Sequence, residues 1–104
     1  MPTYNKLVRD RIPEILEEKG KAFVARPATS EEEYVTKLKE KLQEEVDEFL
    51  ENPCAEEMAD IQEVLDALSH HIGTTALSVL NIKEEKATAR GCFYNGIILE
   101  SVED

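Results

Sequence analysis

At 104 residues the chain is long enough for one domain and too short for two, and a domain of this size buries only a thin core. Its 23 acidic residues against 12 basic ones give a formal net charge of −11, which argues against duplex nucleic acid as a partner because a polyanion would be repelled. The same balance still permits a phosphorylated small molecule, provided a divalent cation bridges the charges.

The first stretch, Tyr4-Asn5-Lys6-Leu7-Val8-Arg9-Asp10, mixes polar and apolar groups. Pro13 suits the first turn of a short helix over about 13–19 that stops at Gly20. Ala22 to Arg26 reads as extended and ends at Pro27. Thr29 and Ser30 stand before Glu32 and Glu33 at capping-box spacing, so a long helix is expected from about 31 to 51. Asn52-Pro53 breaks it. A second long helix is expected over about 54–72, ending at Gly73, and a third from a Thr74 or Thr75 cap to Gly91. The tail from Phe93 to Val102 reads as extended. The expected fold is therefore all-α, with an antiparallel helical hairpin, a further long helix and short extended terminal segments, forming one domain over 1–104.

No segment is apolar enough for a membrane span, and the N-terminus lacks the apolar run of a signal peptide. Cys54 and Cys92 belong to no CxxC pair and no zinc-site spacing, and read as a turn residue and a packed thiol. A cytoplasmic protein that binds no membrane is expected. His70 and His71, near a helix end, read as capping or surface residues.

The hairpin carries Glu44-Glu45-Val46-Asp47-Glu48 and then Glu57-Met58-Ala59-Asp60. Glu45 and Glu48 share a helix face, as do Glu57 and Asp60. Glu48 and Glu57 are equally far from the Asn52-Pro53 turn, and so are Glu45 and Asp60, so the four carboxylates can converge between two antiparallel helices. An EExxE string alone reads as a solvated face. The helical wheel changes that reading. Leu38, Leu42, Val46 and Phe49 form one apolar stripe, with Glu45 roughly 20° from Leu38. Ile61, Val64, Leu65 and Leu68 form the facing stripe, with Glu57 within it and Asp60 at its margin. Clustered carboxylates on a core-facing surface are costly unless compensated, and Lys41 is the nearest cation. A bound cation would resolve the conflict. The all-oxygen donor set suits magnesium, with manganese possible, and such a metal supplies phosphoryl chemistry.

Two basic clusters accompany the carboxylates. Lys83, Lys86 and Arg90 share a face of the third long helix, and Lys6 and Arg9 share one if their segment is helical. Either could be plain surface charge; either could bind phosphate, which the planar fork of arginine suits.

With these residues the chain resembles the MazG-like, all-α nucleoside triphosphate pyrophosphohydrolases, which include dimeric dUTPases and phosphoribosyl-ATP pyrophosphohydrolase. The likeness is closest to the small phosphoribosyl-ATP pyrophosphohydrolase-like proteins. It rests on the opening Tyr4 to Pro13, on Lys41-Leu42-x-Glu44-Glu45-Val46, on Glu57-Met58-Ala59-Asp60-Ile61, and on Glu85-Lys86-Ala87-x-x-Arg90-Gly91-x-Phe93. The resemblance implies magnesium ligation by Glu45, Glu48, Glu57 and Asp60, with Glu44 beside them as an assisting base and Glu45 also counted in the catalytic set. It implies phosphate contacts by Lys86 and Arg90, and it places Lys6 and Arg9 in a shared N-terminal motif. The implied reaction is hydrolysis between the α and β phosphates, giving a monophosphate and pyrophosphate. Cys92 stands where the family more usually has Gly, and the short gap between Glu48 and Glu57 makes a tight turn that narrows the pocket.

Two other readings remain open: a non-catalytic helical interaction module, and a nucleotide sensor that binds without cleaving. A thin core with an uncovered apolar stripe also implies a homodimer or a dimer of dimers, with the nucleotide pocket between subunits.

Overall fold

In the computed structural model, which describes residues 2–104, four helices run in the order α1 (Ile12–Glu18), α2 (Glu31–Glu51), α3 (Ala55–His71) and α4 (Ala76–Arg90). There is no strand among the described residues, so the fold is all-α, as the sequence leads one to expect. No helix is long and apolar enough to cross a membrane.

The start of α2 is fixed by local chemistry. The Ser30 hydroxyl accepts from the Glu33 N–H at 3.0 Å, and the Glu33 carboxylate accepts from the Thr29 N–H at 2.9 Å. Arg26 donates twice to the same carboxylate, at 2.8 and 3.0 Å. The Arg26 hydrogen bonds, and after them the Thr29 N–H, hold the Glu33 pKa at about 2. Three residues, Asn52 to Cys54, then reverse the chain into α3, with Cys54 as its N-cap. A connection this short makes α2 and α3 an antiparallel pair. Far from the turn, His71 Nδ1 lies 2.7 Å from Glu31, tying the open end of the hairpin and giving this histidine the surface role expected of it. Thr75, rather than Thr74, caps α4 by accepting from the Ser78 N–H.

The hairpin seam is the core. Leu38 and Val64 are its buried apolar residues, flanked by half-buried Leu42, Val46, Phe49, Ile61 and Leu68. Leu65 departs from the expected stripe and is largely exposed, while Ser69 is buried. Ser69 tolerates this because its hydroxyl donates to the Leu65 carbonyl at 2.9 Å, satisfying it within the helix. Cys92 is not the packed thiol expected: it follows Gly91, where α4 ends, and lies in an exposed stretch. The tail is not extended from Phe93 as expected: Phe93 to Gly96 make a turn, closed by the Gly96 N–H donating to the Phe93 carbonyl at 3.3 Å with Gly96 at φ 60°, and only the residues after it are extended.

The helix α4 packs on α3 and on no other helix, so its Leu77, Val79, Leu80 and Ile82 stay exposed. The chain is drawn out to 60 × 31 × 25 Å, with a radius of gyration of 18.3 Å. A compact domain of this length would have a radius of about 13 Å. It exposes 9308 Å², whereas a compact monomer of its mass exposes about 5,900 Å².

Because so few side chains are buried, each one matters. Leu38 is 2% exposed, and Leu38→Ala is expected to destabilise the fold by about 2–5 kcal/mol. Urea unfolding at fixed protein concentration, followed by circular dichroism, measures this.

Candidate metal centre

Glu45 faces the hairpin seam because the α2 wheel puts it beside Leu38 and Val46. It is only 6% exposed. Its Oε1 accepts from Lys41 Nζ at 3.0 Å, one helical turn earlier. Its Oε2 is buried and has no hydrogen-bond partner, and the same is true of Glu57 Oε2 on α3. Carboxylate oxygens removed from water without a partner are costly, and two in one seam are more so.

The carboxylates gather in two overlapping groups. Oxygens of Glu44, Glu45 and Glu48 lie within 4.8 Å of one another, and so do oxygens of Glu45, Glu57 and Asp60. Glu45 belongs to both. Burial falls off outward: Glu57, Asp60 and Glu44 are half-buried and Glu48 is exposed at the rim. The charge of Glu45, then burial, then the charges of Glu57 and Glu44 raise the Glu48 pKa above the ordinary glutamate value. For Lys41, burial acts to lower the pKa. The hydrogen bond to Glu45 and the charges of Glu44 and Glu45 outweigh it, so the net shift is upward and the ammonium stays charged.

The N-terminal arm supplies two more cations. Residues 2–9 are not helical, so Lys6 and Arg9 do not share a helix face. Asn5 instead takes a left-handed backbone, φ 47°, and its carbonyl accepts from Lys37 Nζ at 2.7 Å, pinning the arm to α2. From there Lys6 reaches Glu44 at 3.4 Å and Arg9 reaches Asp60 at 2.8 Å. Lys41 also approaches Glu44, at 3.5 Å. Three cations thus face five carboxylates, leaving the patch anionic.

The structure does not bring the α4 cations to this place. Lys83, Lys86 and Arg90 are exposed and form no ion pair among the described residues. None of them lines the cleft of about 570 Å³ that opens beside the carboxylates between the arm, α2 and α3. That cleft is walled by Arg9, Tyr34, Lys41, Glu45, Asp60 and Glu63 among others. Tyr34 and Glu63 are residues that sequence reasoning passed over. Only their helical register with Leu38 and Asp60 could have singled them out.

The donor set fits a hard divalent cation such as magnesium: every candidate ligand is a carboxylate, and two of the oxygens are buried without partners. Glu45, Glu57 and Asp60 would hold it, with Glu48 and Glu44 at the edge. Comparison with protein-family models, with curated proteins and with solved structures found no match to the chain.

The crowding has a sign that can be measured. A carboxylate whose folded pKa lies above its unfolded value costs stability once it ionises in the folded state. Metal-free protein is therefore expected to lose stability as pH rises from the ordinary glutamate value of 4.5 through the raised pKa of Glu48. Glu48→Gln should flatten that fall in urea unfolding run with a chelator. Magnesium at a hundred times its Kd should add about 2.7 kcal/mol to the wild type. Glu45→Gln should abolish that gain.

Proposed function

We propose that the chain is a magnesium-dependent pyrophosphohydrolase that cleaves a nucleoside triphosphate, or a related nucleotide, between its α and β phosphates. The observation that carries this reading is a pair of buried, unpartnered oxygens, Oε2 of Glu45 and Oε2 of Glu57, in a carboxylate cluster whose Glu45 and Asp60 line a cleft. The motif resemblance set out above supports the same reading.

Bound magnesium, or manganese, would neutralise the cluster and the phosphates together and polarise the anhydride. The chain's own groups do the rest. Water adds to the α-phosphorus, the bond to the bridging oxygen breaks, and pyrophosphate leaves. The proton of the water passes to Glu44, which Lys6 and Lys41 hold in place beside Glu45. Lys6 and Arg9 now pair with Glu44 and Asp60. In this reading Arg9 turns to the phosphates once a metal takes over Asp60, and Lys6 reaches them from its place beside Glu44. Lys83, Lys86 and Arg90 lie away from the cleft of their own chain, and the reading assigns them to the phosphates of a site shared with a second subunit in a symmetric dimer. A cytoplasmic setting accords with two free cysteines.

The decisive assay is product analysis with magnesium and a panel of NTPs, dNTPs and phosphoribosyl-ATP. Wild type should release pyrophosphate and a monophosphate. Glu44→Gln should lower kcat by about a hundredfold or more with little change in magnesium affinity. Asp60→Asn should lose magnesium binding and turnover together. Tight nucleotide binding without product would mark a sensor instead. An Asp60→Asn variant that matches wild type in magnesium affinity, with no product from either, would mark a helical interaction module.

A further inference from the structure

We propose that residues 97–102 of the C-terminal arm, beyond the turn at Phe93–Gly96, lie as an added strand along residues 22–26 of a second copy of the chain, reciprocally in a symmetric dimer. The proposal rests on the dimer reading above and is independent of the hydrolase reading.

The arm is the most exposed apolar part of the molecule. Phe93 is 98% exposed, Ile98 82% and Leu99 74%, and nothing in its own chain covers them. The segment Ile97-Ile98-Leu99 is short and aliphatic with two β-branched isoleucines, a composition that favours a pleated, half-buried surface over a solvated coil. Residues 97–102 form no backbone hydrogen bond to another backbone group among the described residues. The same holds for residues 22–26, where Phe23 and Val24 make a second extended apolar piece. Two such unpaired edges are what strand addition joins: main-chain bonds supply the attachment and alternate side chains enter a groove.

The groove is present. Residues 21–25 line a cavity of about 750 Å³, together with Pro13 and Leu16 of α1 and Tyr4 of the N-terminal arm. Charge favours this occupant. Lys21 lines the groove and forms no ion pair among the described residues, while the arm carries Glu100 and is followed by Glu103 and Asp104. The area also matches. The surface beyond that of a compact monomer is about 3,400 Å² per chain. A standard interface takes about 800 Å² per partner and an obligate dimer about 1,000–2,500 Å², so the surplus is more than enough to supply an obligate interface.

The test uses the full chain with Cys54→Ser and Cys92→Ser. One tagged version carries Val24→Cys and a differently tagged one carries Ile98→Cys, both at exposed positions that cost the isolated fold little. The two are refolded together and oxidised. Pairing Val24→Cys with Ile97→Cys or Leu99→Cys covers the neighbouring registers. The expected result is a covalent dimer that contains both tags. Ile98→Asp should raise the dimer dissociation constant at least tenfold in sedimentation, with helicity by circular dichroism unchanged. Helical dimers that give no cross-link in any register would overturn the placement of the arm and leave the dimer standing. A monomer at micromolar concentration would overturn both. A disulfide closing within a single Val24→Cys/Ile98→Cys chain would show that the arm docks on its own groove, and would equally overturn the proposal. None of these readouts depends on turnover, so failure here leaves the hydrolase reading to its own assay.

Discussion

A carboxylate buried in the seam between two helices governs much of this molecule. Glu45 sits where a leucine would be the ordinary choice, in the seam that also buries Leu38 and Val64. One of its oxygens is held by Lys41 and the other by nothing. An ion pair of this kind, in a core this thin, is poor evidence of a contribution to stability. Its neighbours are explained by it: Lys41 keeps its charge because of it, Glu48 resists ionising because of it, and the two groups of carboxylates meet through it. A seam arranged in this way is suited to receiving positive charge.

The cations divide into two populations. Lys6, Arg9 and Lys41 are already engaged with acidic partners, and the irregular N-terminal arm delivers two of them across a long stretch of sequence. Lys83, Lys86 and Arg90 stand on a helix that touches only α3. The first population sets the resting charge of the cleft. The second does not line that cleft. The same division separates a well-packed hairpin from peripheral segments whose apolar groups lack cover within the chain.

The hairpin could be read in the sequence because its determinants are local. The Ser30 cap, the Asn52-Pro53 break and the glycines after α1, α3 and α4 act within a few residues of themselves. The wheel placed Glu45 among the apolar residues for the same reason. Leu65 was misplaced because Ser69, which satisfies its own hydroxyl, takes the buried position instead. The pairing of Arg9 with Asp60 and of Lys6 with Glu44 could not be read, since it depends on a left-handed Asn5 and an arm with no periodicity. The absence of the α4 cations from the cleft lining was hidden too: a shared face says which residues go together, not which way the face points. The cation that the carboxylates would hold, and the reaction it would serve, rest on chemistry and resemblance.

The three-residue link between α2 and α3 has a consequence for how this chain can change over time. Glu57 lies in the first turn of α3, directly after the link, and its distance from Glu45 is set by a connection with no slack. An added residue there has no loop to absorb it. It must either unwind the turn that carries Glu57 or turn α3 by about 100° relative to α2, sending Asp60 off the seam. Insertions should therefore accumulate in the stretch before Ser30 and after Gly91. The Asn52–Cys54 link works as a fixed spacer between the acidic residues on either side of it.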